Sequence, residues 1–167
     1  MHVKRTMPAA LLASVLALAG VMGVVKTVAA DVNVKHRLDI ETGGGKVRVR
    51  VMIENHSERP IWVPREIAAG DELTGPRFEL RAGESDVSYT GKMVKRAAPG
   101  PGDYLEIKPH TTQLNTIDIT GAYAFKPGRH DYEIRYTGPW LGDLGKLDAA
   151  SIETSPAPPV RFTHTGP

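Results

Sequence analysis

Residues 46–54 constrain the fold of this chain more than any other segment. β-Branched residues occupy every second position there, with Val47, Val49, Val51 and Ile53 alternating with Arg48, Arg50 and Met52. A period of two with one apolar face is typical of a strand that is buried on one side only. The segment therefore predicts a half-buried β-strand and favours a protein built from sheets.

Other short apolar runs, each bounded by turn residues, follow the same pattern. They lie at residues 32–40, 61–63, 78–80, 87–89, 104–107, 114–119, 130–136 and 160–162. Residues 42–45 predict a tight turn that joins the first two strands as an antiparallel hairpin, and residues 82–86 predict a second hairpin. A sustained period of 3.6 is absent, although residues 118–125 leave room for one helical turn. We predict an all-β fold, an immunoglobulin-like antiparallel β-sandwich of seven to nine strands.

The first thirty residues differ in composition from the rest. Lys4 and Arg5 precede an apolar run of 17 residues at positions 9–25, and small residues precede Asp31. This pattern predicts a secretory signal peptide at residues 1–30, cleaved after Ala30. The alternative is an uncleaved anchor, but the run contains two glycines and is shorter than the ~20 residues of a spanning helix. Residues 31–167 then form one predicted β-sandwich domain, with a Pro-rich segment at 155–159 near its C-terminus.

Charge and cysteine content exclude several classes of function. The predicted mature chain holds 18 lysines and arginines against 19 aspartates and glutamates, so it lacks the positive field of a nucleic-acid-binding protein. It has no cysteine, which excludes disulfides, thiolate nucleophiles and cysteine-bound metals. We expect an exported protein, periplasmic or secreted, that meets the membrane only transiently through its signal peptide.

The histidines, carboxylates and serines show no catalytic or metal-binding pattern. His36, His56, His110, His130 and His164 are isolated in sequence and lie in turns or at polar strand positions, so we expect solvated surface histidines. The acidic residues show no pair whose spacing predicts proximity, and the serines show no nucleophile elbow. We therefore expect no catalytic residues, no metal site, no cofactor and no enzymatic activity. Tyr123 fits either a corner tyrosine bonded to backbone or an ordinary core tyrosine.

Several motifs carry a resemblance to a known family. They are Gly91-Lys92-Met93-Val94-Lys95-Arg96-Ala97-Ala98-Pro99, Asp103-Tyr104-Leu105, Ile107-Lys108-Pro109, residues 117–123 and the strand at 127–136, with residues 49–55 upstream. Together they resemble the N-terminal pro-region of deuterolysin-type metalloendopeptidases, including the peptidyl-Lys endopeptidases. The resemblance spans roughly residues 47–136. It implies a β-sandwich whose partner is a zinc endopeptidase.

Two departures from that family stand out. Residues 61–66 replace the "LKW.TP..G" pattern of the family, and no two histidines stand four residues apart with the glutamate that zinc enzymes of this type need. We therefore expect a free-standing, pro-region-like domain that acts as an inhibitor or folding helper of a separately encoded enzyme. The alternative is a generic exported immunoglobulin-like module that binds an envelope component, a glycan or another protein.

The basic cluster at residues 92–96 supplies the candidate contacts. It is either a strand whose charges point outward or a projecting patch that complements an acidic or basic-selective cleft. The following prolines favour an extended segment across such a cleft. The candidate partner-binding residues are Lys92, Lys95, Arg96, Pro99, Pro101 and Trp140. Trp140 is an anchor only if it is exposed, and Trp62 is expected to be buried.

Overall fold

The computed structural model describes residues 33–95 and 97–167, so the predicted signal peptide and Arg96 lie outside the described residues. The described residues contain eleven strands, one short α-helix and two 3-10 helices, at Pro101–Asp103 and Ala149–Ser151. The strands are β1 (Val34–Gly43), β2 (Lys46–Asn55), β3 (Ile61–Pro64), β4 (Glu79–Ala82), β5 (Ser85–Asp86), β6 (Tyr104–Ile107), β7 (Thr111–Asp118), β8 (Gly128–Arg135), β9 (Pro139–Leu141), β10 (Ile152–Thr154) and β11 (Val160–Gly166), and the helix is α1 (Arg65–Ala69).

The predicted β1–β2 hairpin is confirmed. Its turn consists of Gly44 and Gly45 at φ 57° and 75°. Two positive φ values are what a type I′ turn requires, and its twist matches that of the strands it joins. The turn fixes a register in which Gly43 pairs with Lys46 and Val34 with Asn55. The alternating valines of β2 therefore all face one side, where they are fully buried.

Three antiparallel sheets are formed from strands that are distant in sequence. The first has the order β1-β2-β7, the second β10-β9-β3-β6 and the third β11-β8-β4-β5. Each sheet combines strands that precede residue 91 with strands that follow residue 103. The chain ahead of that interval and the chain behind it are thus interleaved throughout the fold.

The inner faces of the sheets share one apolar core. The core includes Val49 and Ile53 of β2, Ile117 of β7, Ile134 of β8 and Trp140 of β9. The predicted all-β antiparallel sandwich is confirmed. The described residues contain eleven strands, more than the seven to nine predicted, because β9 and β10 are three-residue strands with no alternating run to reveal them.

The helical segment is not at the predicted position. Residues 118–125 contain the end of β7, a turn at 120–122 and an isolated bridge between Tyr89 and Tyr123, and the α-helix lies instead at Arg65–Ala69. Asn115 of β7 fixes this helix by donating to the carbonyl oxygens of Ile67, at 2.9 Å, and Gly70, at 2.6 Å. None of the helices in the described chain has the length and apolar character needed to cross a membrane.

Candidate functional site

Residues 91–103, here called the basic loop, project from the sandwich between β5 and β6. The predicted outward-facing strand is not formed, because residues 92–95 pair with no strand. Lys92 and Lys95 are exposed, and so are two apolar side chains, Met93 at 72% and Val94 at 43%. Arg96 lies outside the described residues. An exposed loop with apolar and basic side chains side by side is a candidate contact surface.

The loop begins at a tightly packed turn. The amides of Thr90 and Gly91 both donate to the carbonyl oxygen of Ala122, at 2.9 and 3.1 Å. A Cβ at Gly91 would lie 2.9 Å from the Tyr89 ring and 3.0 Å from Cα of Ala122. The Tyr89 hydroxyl donates to the carbonyl oxygen of Lys92 at 2.8 Å. The first residues of the basic loop are therefore held against the turn that contains Ala122 and Tyr123. Only glycine fits at position 91.

The middle of the loop rests on residues 72–74. The ammonium of Lys92 lies 3.0 Å from a carboxylate oxygen of Glu72, and the amide of Val94 donates to the carbonyl oxygen of Thr74 at 3.1 Å. The Lys92–Glu72 pair is exposed on both sides, so it contributes little stability. Lys95 makes no ion pair with any described residue. Its charge is available to a partner.

The end of the loop is a short 3-10 turn at Pro101–Asp103. Asp103 closes this turn by accepting from the amide of Gly100 at 2.9 Å. Arg65, the first residue of α1, donates to the carbonyl oxygens of Gly102 at 3.0 Å and Tyr104 at 2.9 Å. Pro99 and Pro101 are exposed. The loop is thus held at both ends, and the prolines restrict the backbone between them.

A nearly buried carboxylate lies beneath the loop. The side chain of Glu66 is only 6% exposed and accepts two hydrogen bonds from Arg77, at 2.8 and 3.1 Å, and one from the amide of Thr74. Burial raises the pKa of Glu66, but the hydrogen bonds from Thr74 and Arg77 outweigh it, so the net pKa is lowered. Glu66 therefore ties α1 to the segment that supports Val94.

Glu66 was not singled out from the sequence, because no spacing pairs it with another acidic residue. A signal for it was present. Pro64 precedes a stretch of helix-forming residues with Glu66 in the first turn, a pattern typical of a helix N-terminus. Recognising that helix would have placed Ile67 and Ala68 against the core and Glu66 at its margin.

An apolar cleft of about 240 Å³ lies between the basic loop and the second sheet. Its apolar lining includes Ala97 and Pro99 of the loop, Pro139 and Leu141 of β9, and Ile152 of β10. The charged residues Glu66, Arg77 and Asp103 also line it. Trp140 also lines it but is only 4% exposed, so the expectation of a projecting tryptophan anchor is wrong. The residue belongs to β9, which lies inside its sheet between β10 and β3, and its ring is packed in the apolar core. The cleft and the loop bring Pro99 and Trp140 together, whereas Lys92 and Lys95 do not line it.

The prediction of surface histidines is wrong for two of the five. His36 is 2% and His164 is 4% exposed, because each falls on the inward-facing alternation of its strand. His56 and His110 are exposed and lie beside Glu54 and Glu58, at 3.2 and 3.1 Å. The described residues contain no group of three or more histidines, aspartates and glutamates that could hold a metal ion.

A larger hollow of about 570 Å³ lies on the outer face of β8 and β11, and it is polar. Its arginines are already paired. Glu133 accepts from Arg135 at 2.8 Å and from Arg161 at 3.2 Å, and these hydrogen bonds lower the pKa of Glu133. The guanidinium of Arg81 lies 3.1 Å from Asp86. This surface presents balanced charge, so the basic loop and the cleft remain the candidate site.

Comparison with known proteins relates the chain to a protease. No known family model matches the sequence. Over 111 residues the chain is 30% identical to an extracellular protease of Aeromonas hydrophila, a match that covers 66% of this chain and 32% of that protein. The chain thus spans about a third of the length of this relative. The similarity indicates a protease-related domain and agrees with the expectation of export.

Proposed function

We propose that this protein is an exported, noncatalytic binding domain that acts as a propeptide-like inhibitor or folding helper of a deuterolysin-type zinc endopeptidase. The observation that carries the proposal is the basic loop, which is exposed at all its described residues except the half-buried Gly91 and Gly100 and is anchored at both ends. The similarity to part of an extracellular protease supports it. The absence of two histidines four residues apart in the sequence supports a noncatalytic role.

The anchoring of the loop favours steric inhibition without a covalent bond. Binding an extended segment costs conformational entropy, and a segment that is already held at both ends has less of it to lose. Tyr89 holds one end and Arg65 the other. The loop therefore presents its side chains to an enzyme cleft at a low entropic cost. A segment of this kind excludes substrate by occupying the same space.

The charges on the loop specify the chemistry of the partner. Lys95 is exposed and forms no ion pair with any described residue, whereas Lys92 is lightly held by Glu72. An enzyme cleft that carries acidic groups or selects basic side chains would complement both lysines. The adjacent Met93 adds exposed apolar area that becomes buried on contact. We include Arg96 and Pro101 in this surface from their place in the sequence.

The apolar cleft beside the loop adds contact area, since an apolar side chain of the enzyme would fit between Pro99 and Ile152. Loop and cleft together make a surface in which charge steers the encounter and apolar burial stabilises the complex.

The test is to mix the purified protein with a deuterolysin-type endopeptidase, the Aeromonas hydrophila extracellular protease being the related enzyme to try. Residual peptidase activity and complex formation by calorimetry are measured at micromolar protein. We expect inhibition, and expect Lys92→Glu/Lys95→Glu to weaken it at least tenfold, about 1.4 kcal/mol. The matched control is Lys35→Glu/Arg37→Glu, the same charge change on the outer face of β1 at the far edge of the first sheet.

Absence of both complex formation and inhibition at these concentrations would contradict the proposal. Equal loss of binding in the loop and control variants would show that net charge, not the loop, drives association. The folding-helper role is measured separately, as the yield of active endopeptidase after dilution from denaturant with and without this protein. Binding to other exported proteins or glycans that is indifferent to the loop variants would favour the generic module instead.

A further inference from the structure

The basic loop has a second property that does not depend on any partner. We propose that residues 93–95 form an endopeptidase nick site, and that the chain stays folded as a two-fragment unit after the cut. This makes the protein a substrate for endopeptidases that select large apolar or basic side chains. It assigns the loop a modification, hydrolysis of one peptide bond, beyond its proposed role in inhibition.

Exposure and sparse hydrogen bonding make this stretch accessible. Met93 and Val94 are 72% and 43% exposed and Lys95 is exposed. Among the described residues, the amide of Val94 makes the one backbone hydrogen bond within 93–95 that must open, to Thr74 at 3.1 Å. Exposed loops with few backbone hydrogen bonds are the preferred sites of nicking, because a protease must bind its substrate in extended form.

The reaction itself is a simple hydrolysis. Water adds across one of the peptide bonds from Lys92–Met93 to Lys95–Arg96. The carbonyl carbon gains the hydroxyl and becomes a carboxylate, and the nitrogen gains the proton and becomes an ammonium group. No oxidant, reductant or cofactor is consumed. The products are a fragment that ends at one of residues 92–95 and a fragment that begins at the next residue.

The sheet topology holds these two fragments together. Strands β1–β5 belong to the first fragment and β6–β11 to the second, and every sheet contains strands of both. In the first sheet β2 pairs with β7 over the full stretch from Arg48–Asp118 to Asn55–Thr111. In the second β3 lies between β6 and β9, and in the third β4 pairs with β8. Separation would therefore break all three sheets at once.

Buried side chains add cross-links between the fragments. The Tyr123 hydroxyl bonds to both backbone groups of Phe78, at 2.8 and 3.1 Å. The side-chain Nδ2 of Asn55 donates to the carbonyl oxygen of Ile107 at 3.0 Å. These groups are buried, so dissociation would leave them unsatisfied while exposing the shared core. The cost of unsatisfied hydrogen-bonding groups and the cost of exposing the apolar core both oppose separation of the fragments.

A nick would also change the loop as an inhibitor, a consequence that rests on the proposed function. After a cut behind residue 94, the hydrogen bonds at Tyr89 and Thr74 no longer restrain Lys95 and the prolines that follow it. The segment would then lose more entropy on entering an enzyme cleft, so binding would weaken. The nicked protein is therefore expected to be a poorer inhibitor than the intact one.

Limited proteolysis without any partner tests the nick itself. Trypsin, which cuts after basic residues, and thermolysin, which cuts before large apolar residues, are used separately at low ratio, and the first cut is mapped by mass spectrometry. We expect both to cut first within residues 92–96. The fragments should co-elute in native size-exclusion chromatography and separate only in denaturant.

Variants make the assignment specific. Lys92→Gln/Lys95→Gln/Arg96→Gln should slow the first tryptic cut by about tenfold or more and leave the thermolysin cut unchanged. Lys35→Gln/Arg37→Gln is the matched control and should leave both rates unchanged. A first cut outside the loop, or fragments that part without denaturant, would overturn the proposal. Because no partner enzyme enters these measurements, their failure is distinct from failure of the proposed inhibition.

Discussion

The hydroxyl of Tyr123 donates to the carbonyl oxygen of Phe78 at 2.8 Å and accepts from the amide of the same residue at 3.1 Å. One side chain thereby satisfies both backbone groups of a buried residue that lies just before β4. The two residues are 45 positions apart, so the contact fixes the entry of the third sheet relative to the turn after β7. Burial raises the pKa of Tyr123 to about 12, against the opposing effect of these backbone bonds.

Removing the Tyr123 hydroxyl should destabilise the fold. Tyr123→Phe leaves both backbone groups of Phe78 without that partner in a buried place, and we expect a loss of about 2 kcal/mol in the free energy of unfolding. Urea denaturation followed by tryptophan fluorescence measures it. The control is Tyr104→Phe, whose hydroxyl makes no hydrogen bond with the described residues and which should change stability by less than about 0.5 kcal/mol. Equal effects of the two variants would contradict the corner role of Tyr123.

The buried His36 should make stability depend on pH. Its Nδ1–H donates to the carbonyl oxygen of Ser155 at 3.1 Å, while Nε2 has no partner among the described residues. Burial lowers the pKa of His36 to about 4, with the Ser155 bond opposing. Between pH 6.5 and 4 the unfolded chain binds a proton that the folded chain does not. The free energy of unfolding should therefore fall as the pH falls through this window, by about 3 kcal/mol in all.

Replacement of the imidazole isolates this effect. Asn keeps a donor near the Nδ1 position, so His36→Asn should lower stability at pH 7 but flatten the change between pH 6.5 and 4. His110→Asn is the control, because Asn tolerates the positive φ of 54° at that exposed site and the slope should stay as in the parent. Urea denaturation at half-unit pH intervals gives both slopes. An unchanged slope in His36→Asn would refute the assignment.

The parts of the fold that were predictable from sequence are those in which one face of a strand is buried over several residues. The alternation in β2 and the glycines of its turn predicted the first hairpin, because burial imposes a period of two and positive φ imposes glycine. β9 and β10 escaped prediction because three residues carry no period. β9 is placed by long-range pairing with Trp62 of β3, and β10 by pairing with β9, and sequence pattern encodes neither.

Part of the candidate site was also predictable from the sequence. Exposure of the lysines follows from their charge, and their clustering is visible in the sequence. The inward orientation of Trp140 and the burial of Glu66 depend on tertiary neighbours, so residue type alone misplaces them. His36 is a different case, because the alternation of Val34, His36 and Leu38 already places it on the inner face.

Loss of the Glu66 charge should loosen the support of the basic loop. Glu66→Gln keeps the size of the side chain but removes the charge that holds Arg77, and we expect about 2 kcal/mol of destabilisation. Glu72→Gln is the matched control, since Glu72 is exposed in its pair with Lys92 and the change should cost less than about 1 kcal/mol. Thermal unfolding at pH 7 compares them.

The effect of Glu66→Gln on the free energy of unfolding should also depend on pH. The folded pKa of Glu66 is lowered, so its contribution is complete above the unfolded pKa and is lost as the pH falls through the folded value. The difference in stability between the parent and Glu66→Gln should therefore shrink at acid pH. A difference that stays constant from pH 7 to pH 3 would show that the carboxylate charge is not the stabilising feature.

Gly91 should tolerate no side chain. The Cβ of an alanine would lie 2.9 Å from the Tyr89 ring and 3.0 Å from Cα of Ala122, and the second of these is backbone that cannot move aside alone. We expect Gly91→Ala to cost about 1–3 kcal/mol in the free energy of unfolding, as overpacking does elsewhere. Because the turn positions the entry of the basic loop, tryptic cutting at residues 92–96 should also become faster.

Gly100→Ala is the control within the same loop. A Cβ at Gly100 would have no atom within 4 Å, and its φ of −111° suits any residue. Alanine there restricts the unfolded chain without straining the folded one, so stability should be unchanged or higher by about 0.5 kcal/mol. Urea denaturation and the tryptic rate are measured on both variants. If Gly91→Ala and Gly100→Ala had the same free energy of unfolding and the same rate of tryptic cutting, the packed turn at Gly91 would not hold the start of the loop.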